Sequence, residues 1–461
     1  MTDATLPTVR PRDRDAILQS LRAGVVPRVG QQHIQVGRAA ELAALVEDIN
    51  RVVDDGSTIR FVIGEFGSGK TFFLMLVRAV ALERRLVTLH ADLGPDRRLQ
   101  GTGGQARSLY AELLHNMSTR AKPDGGALAS VVERFVSSAV EEAGTRSVSP
   151  GVVIAERLNS LKEMVGGFDF ASVIKSYWDG TESGNDQLQA DAVRWLRGEF
   201  STKTDARSAL GVRTIVDDAS WYDHVKLLAR FVKLAGYTGL LVCLDELVNL
   251  YKLANTTSRT ANYEQLLRIL NDSLQGGASG MGWVLGGTPE FLLDTRRGLY
   301  SYPALQSRLA ENTFATSGLV DYSGPVLRLA NLSPEDFYVL LTKLRNVYAG
   351  GDSSMYLLPD EGLTAFMKHC AGRVGDAYFR TPRNTIKEFI NFLAVIEQNP
   401  GISWQDMLGK VEVSSETNPD LAPLPDDAPV SAAVAPPVPA AASPSAVSPP
   451  NTDDDLRTFR L

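Results

Sequence analysis

The octapeptide Gly64-Glu65-Phe66-Gly67-Ser68-Gly69-Lys70-Thr71 restricts what this chain can fold into more than any other part of its sequence. It fits G-x-x-x-x-G-K-[ST] at every fixed position, a pattern whose glycines let successive backbone N–H groups turn inward as a nest for phosphate oxygens. Such a nest works between a strand that ends at it and a helix whose positive dipole end faces the anion. Both neighbours are legible. Residues 59–63 (IRFVI) form a short apolar run of strand type, and 71–84 carry an amphipathic helical pattern. In this arrangement Gly64, Glu65, Phe66, Gly67, Ser68 and Gly69 cradle phosphates. Lys70 reaches the β- and γ-phosphates of ATP, and the Thr71 hydroxyl ligates Mg²⁺.

More apolar runs follow at 86–89 (LVTL), 239–244 (GLLVCL), 283–285 (WVL) and 326–329 (VLRL). Short apolar strands separated by helical patterns predict an α/β fold, a parallel sheet with helices on both faces. Asp245 follows Lys70 by 175 residues, whereas two strand–helix–strand units need only roughly 60. A large helical insertion is therefore expected between about 94 and 236, with amphipathic stretches at 105–120, 126–143, 187–200 and 221–235. Beyond Ser333 the pattern is purely helical, opening on SPED, in which Ser333 suits the N-cap and Asp336 the N3 end of a capping box. The expected organisation is an entry segment (1–38), a nucleotide-binding core (39–330), a helical lid (331–410) and a tail (411–461).

The run ending in Asp245 and Glu246 is the second chemical signal: a buried strand that delivers two carboxylates. Asp245 is expected to hold the Mg²⁺ shell and Glu246 to orient and polarise the attacking water. Thr288, at the end of the 283–285 run, is either a sensor of the γ-phosphate or an ordinary strand-to-loop turn stopped by Pro289. Arg308 is a candidate to reach a neighbouring subunit's γ-phosphate, with Arg296 and Arg297 as rivals; Arg380 and Arg383 are candidates to fold back onto the phosphates from the lid. The stretch 194–213 holds Arg194, Arg197, Lys203, Arg207 and Arg213 around Trp195 and Phe200. It reads first as an exposed helix face with its aromatic residues in a core, and second as a phosphate-contacting patch.

Charge adds little. The formal net charge is −7, and residues 411–461, with eight acids and two bases, carry −6 of it. The rest is nearly neutral, so no general basic balance points to nucleic acid. That tail also holds ten of the 23 prolines and is expected to be disordered. Two distant cysteines exclude a disulfide scaffold, scattered histidines offer no structural-metal spacing, and no apolar run approaches a membrane span. Without a secretory signal pattern at residues 1–15, the expected location is the cytoplasm, with no membrane association.

Taken together these residues resemble an AAA+ P-loop ATPase of the type related to origin-recognition and signal-transduction ATPases. Val36-Gly37-Arg38 with Glu41-Leu42 is similar to that group's VGR-x-x-EL entry segment, which abuts adenine. Within it, LRAGVVPRVGQQHIQVGR, GEFGSGKT, RWLRGEF, GYTGLLVCLDEL, GGTPEFL and YPALQSRL resemble the ATP-binding proteins of bacterial BREX phage-defence systems, the BrxC/BrxD group, and by length BrxD. The likeness spans roughly 15–395. It implies Val36 and Gly37 beside adenine, Thr288 as sensor 1, Arg308 as arginine finger and Arg383 as sensor 2. It also implies self-association and a defence operon containing a helicase. No winged-helix pattern follows the lid, which puts direct DNA contact in doubt. The expected function is a Mg²⁺-dependent ATPase whose nucleotide state controls assembly and engagement of DNA or a helicase partner. The alternative is a nucleotide-gated scaffold or transcriptional regulator with little turnover.

Overall fold

The structure, a computed structural model, describes residues 8–314, 320–374 and 382–410. Arg380 and the 411–461 tail lie outside the described residues. Five parallel strands form one sheet: β1 (Ser57–Ile63), β2 (Val87–Asp92), β3 (Leu240–Asp245), β4 (Met281–Gly287) and β5 (Val326–Arg328). Their spatial order is β2-β3-β4-β1-β5. All four pairings are parallel, as the near-continuous apolar runs predicted for strands buried on both faces. This is the α/β architecture of a P-loop NTPase. The order places β1 and β3 on either side of β4, so the phosphate loop and the acidic strand end face each other across one strand.

Alternation along the strands divides the core in two. On one face Val62, Leu241, Cys243 and Val284 pack beneath the helices Ala39–Val53 and Lys70–Glu83. On the other, Phe61, Leu89, Val242 and Leu285 join a larger cluster with the helix Thr256–Leu274 and the insertion. The insertion supplies seven helices between β2 and β3, from Gln105–His115 to Trp221–Leu234. It is not a separate appendage, because its aromatic core continues into the sheet's: Phe135 and Phe170 both pack on Phe231, and Tyr222 meets Trp283 of β4 with ring centroids 6.1 Å apart.

The lid is built from the helices Pro334–Tyr348, Asp360–Val374 and Pro382–Gln398. Its first helix opens on the expected capping box, Ser333 with Asp336. The entry segment contributes to this part of the fold as well. Residues Pro11–Arg22 form a helix whose Ile17, Leu18 and Leu21 share a core with Phe337, Leu341 and Phe389 of the lid. Its apolar face needed burial, and the lid helices offered the matching surface. The first and last parts of the described chain thus make one body.

One buried ion pair ties the sheet's β5 side to its helical cover. Arg60 of β1 donates from two nitrogens to the Asp48 carboxylate and from a third to the Gly324 carbonyl just before β5; both charged side chains are only 6% exposed. Asp48→Ala strands the guanidinium without its counter-charge and is expected to cost about 3–5 kcal/mol in urea unfolding. The double change Asp48→Leu with Arg60→Met is expected to recover most of that loss. A double variant as unstable as the single one would contradict this role.

Candidate functional site

The phosphate loop leaves β1 at Gly64 and enters the helix Lys70–Glu83. Gly67 and Gly69 adopt left-handed backbone (φ 73° and 88°), the conformation a nest requires. Gly64 is required for another reason, since a Cβ there would lie 2.7 Å from the Ser68 hydroxyl. The Lys70 ammonium donates to the carbonyls of Gly64 and Glu65 at 2.9 Å each, so it already sits over the loop.

The acidic strand end meets this loop directly. The Thr71 hydroxyl donates to Asp245 Oδ2 at 2.7 Å, while Asp245 Oδ1 accepts the Glu246 N–H at 2.9 Å. Space for the carboxylate comes from β4, where a Cβ on Gly286 would lie 2.4 Å from Asp245 Oδ1. The neighbouring Gly287 is needed separately, since a Cβ there would lie 2.8 Å from the Phe291 ring. Glu246 itself holds a left-handed backbone (φ 58°), uncommon for a residue with a side chain.

Around these groups lies a cleft of about 410 Å³. Its polar end holds Lys70, Thr71, Asp245, Glu246 and Thr288. At its apolar end, Val25, Pro27, Ile34 and Val36 of the entry segment face Leu340, Leu344 and Ile386 of the lid. That combination suits a flat apolar base joined to an anionic chain. Val36 lines the cleft, whereas Gly37 packs against the Asp336 carboxyl, which a Cβ there would approach to 3.1 Å. Thr288 lines it while accepting a 3.4 Å hydrogen bond from Phe291 N, so the turn and the cleft-facing position coexist. Arg383 also lines the cleft, beside Gly24.

The three candidate fingers separate clearly. Arg297 is buried, donates to the Leu253 carbonyl at 3.2 Å and lies over the Tyr251 ring, a structural placement that removes it as a rival. Arg296 is largely exposed on a surface turn. Arg308 is exposed on the helix Pro303–Leu309, donates to the Ala304 carbonyl and does not line its own chain's cleft. Two of the five bases in the insertion's basic stretch have local counter-charges: Arg194 pairs with Asp191 at 2.9 Å and covers Phe200, and Arg197 faces Glu199. Trp195 is buried and donates to the Thr214 carbonyl.

Two further residues belong to the site. Arg38 takes a left-handed backbone (φ 58°) and donates to the Ser68 carbonyl in the phosphate loop and, at 3.4 Å, to the Ala330 carbonyl before the lid. Burial lowers its pKa, offset by the nearby Glu41 and Asp336 carboxylates. Its signal was its place after Val36-Gly37. Asp92 ends β2 directly across from Asp245. Partial burial and then the Asp245 charge raise its pKa. A strand reading that stops at Leu89 leaves it unplaced.

Mg²⁺ fits the residues present. Among the described residues no group of three or more His, Cys, Asp or Glu could hold a metal alone. A hydroxyl and one carboxylate are nonetheless the sparse oxygen set that Mg²⁺ takes beside nucleotide phosphates. No helix of the described residues is long and apolar enough to cross a membrane. No curated protein matches the chain. A family model does, over residues 9–412, spanning core, insertion and lid together. With that match laid over a phosphate nest, an acidic strand end and a base-sized apolar cleft, the chain belongs to the family of BREX system ATP-binding proteins, BrxC/D.

Proposed function

We propose that this ATP-binding protein of a phage-defence system is a Mg²⁺-dependent ATPase whose nucleotide state governs self-assembly and engagement of DNA or a helicase partner. The observation that carries the proposal is the 2.7 Å contact between Thr71 and Asp245 with Glu246 next in the chain. It sets a cation-binding pair beside a carboxylate able to take a proton. Bound Mg²⁺ would supply charge neutralisation on the phosphates, held by Thr71 and Asp245.

The chain's own groups account for the remaining steps. The loop amides and Lys70 bind the β- and γ-phosphates, and the apolar walls from the entry segment and lid hold the base. Glu246 orients a water against the γ-phosphorus and accepts its proton as the P–O bond to ADP breaks. Thr288 lies where a hydroxyl can report γ-phosphate occupancy. Arg383 brings a lid charge to the same cleft and would draw the lid toward bound triphosphate. Because the lid and the entry helix share one core, that movement would carry residues 11–22 with it. Arg308 is exposed and does not line its own chain's cleft, which suits a group acting on a neighbouring copy.

Three outcomes are expected. Lys70→Ala abolishes ATP binding in a calorimetric titration. Glu246→Gln binds ATP normally but turns over ~10²–10⁴-fold more slowly; turnover at the wild-type rate removes the proton-accepting role. For Arg308, mixtures of inactive Arg308→Ala and Lys70→Ala proteins are expected to regain steady-state activity. Such mixed assemblies pair an intact nucleotide site with an intact arginine from the other chain. No recovery at any mixing ratio counts against action in trans.

A further inference from the structure

The ladder around β3 does not run straight into the turn that carries Glu246. In its regular part, Leu240 N–H bonds the Gly280 carbonyl on one side, and the Gly239 carbonyl accepts from Val87 N–H on the other. A parallel ladder repeats such bonds at a fixed offset, with successive residues serving alternate neighbours. Carried forward, that offset would put Glu246 N–H on the Gly286 carbonyl and Leu247 N–H on the Leu93 carbonyl. The β2 side keeps the offset as far as Leu93, whose N–H reaches the Asp245 carbonyl at 3.0 Å. There it breaks.

The break is at Glu246. With its backbone left-handed, Leu247 N–H takes the Gly286 carbonyl at 3.1 Å, and Glu246 N–H turns to Asp245 Oδ1. One residue now stands between two rungs, as in a bulge, which bends a strand and re-aims a side chain. The side chain re-aimed here is that of Glu246. It is exposed at the nucleotide cleft, while Asp245 before it and Leu247 after it are buried.

The shift takes from the Leu93 carbonyl the backbone donor that a regular ladder would have given it. Leu93 is buried, and a carbonyl left unpaired there would cost desolvation free energy. Asn249 supplies the donor from a side chain: its Nδ2 donates to the Leu93 carbonyl at 2.8 Å. Its own N–H bonds the Glu246 carbonyl at 3.0 Å. One residue therefore holds the bulge and ties it to the end of β2. A left-handed residue with a Cβ persists only where its surroundings over-determine it. The bonds from Leu93, Glu246 and Leu247 use backbone N–H groups that almost any sequence offers; the bond from Asn249 Nδ2 depends on the residue type.

We propose that Asn249 is a positioning residue for hydrolysis: by replacing the lost rung between β2 and β3, it holds the bulge that aims the Glu246 carboxylate at the γ-phosphate. This rests on the reading of Glu246 as the group that orients water. Asn249 does not line the cleft, so its substitution is expected to alter turnover and to spare nucleotide binding.

Asn249→Ala and Asn249→Leu both keep the backbone N–H and remove the side-chain donor, and the leucine also keeps the volume. In steady-state hydrolysis at saturating Mg²⁺–ATP each is expected to lower kcat ~10–100-fold. ATP affinity by calorimetry and the melting temperature are expected to stay close to those of the unsubstituted chain. In the Glu246→Gln background the same substitutions are expected to slow the residual turnover less than about twofold, because the group they misplace is already gone. A merely structural residue would slow both backgrounds by the same factor. That result, an unchanged kcat in both single variants, a loss confined to ATP affinity, or failure of both variants to fold overturns the proposal. Wild-type turnover in Glu246→Gln alone overturns the reading of Glu246, and this proposal with it. A slow Glu246→Gln beside fully active Asn249 variants overturns this proposal only.

Discussion

The hydrogen bond from the Thr71 hydroxyl to Asp245 joins residues 174 positions apart, and most of the fold is arranged to make it possible. It requires β1 and β3 to end at the same level with β4 between them. It requires Gly286 on β4, because any side chain there would strike Asp245. It requires the chain to leave β2, build seven helices and return to β3 without disturbing the register of Asp92 opposite Asp245. The insertion meets that last condition by packing its aromatic residues into the sheet's own core rather than standing apart from it. A long excursion is thermodynamically tolerable when it brings its own buried area to offset its ordering entropy.

Much of this was legible from the sequence because the signals were local. The phosphate loop, its strand and its helix occupy adjacent residues. Each buried parallel strand announces itself as an apolar run, and the 175-residue interval revealed the insertion by simple comparison with an ordinary crossover. What escaped depended on partners far away in the chain. The helix Pro11–Arg22 opens on four consecutive charged residues after its proline, and its apolar stripe of Ile17, Leu18 and Leu21 has meaning only against the lid. Asp92 comes two residues after His90 in a run that looks spent, yet the ladder carries it to Asp245. Arg297 and Arg308 look alike as candidate fingers. Only tertiary placement shows that one is buried against Tyr251 and the other exposed.

The union of the entry segment with the lid has a mechanical consequence. Arg38 links that segment to the phosphate loop through the Ser68 carbonyl, and the base pocket is walled by the segment on one side and the lid on the other. Nucleotide contacts at the pocket therefore bear on one body made from both ends of the described chain. On the function proposed above, that body is the part of the chain that would pass nucleotide state to a neighbouring copy or another component of the system. The basic stretch of the insertion is a weaker candidate for such contacts, since Asp191 and Glu199 already neutralise Arg194 and Arg197.

The most direct test of the central claim asks whether Thr71 and Asp245 hold a divalent cation together with ATP. Electron paramagnetic resonance with Mn²⁺ in place of Mg²⁺ reads this without relying on turnover. The expected result is one protein-bound Mn²⁺ per chain in the presence of ATP, lost in Asp245→Asn while the melting temperature is kept. Mn²⁺–ATP bound equally well by Asp245→Asn would contradict the account.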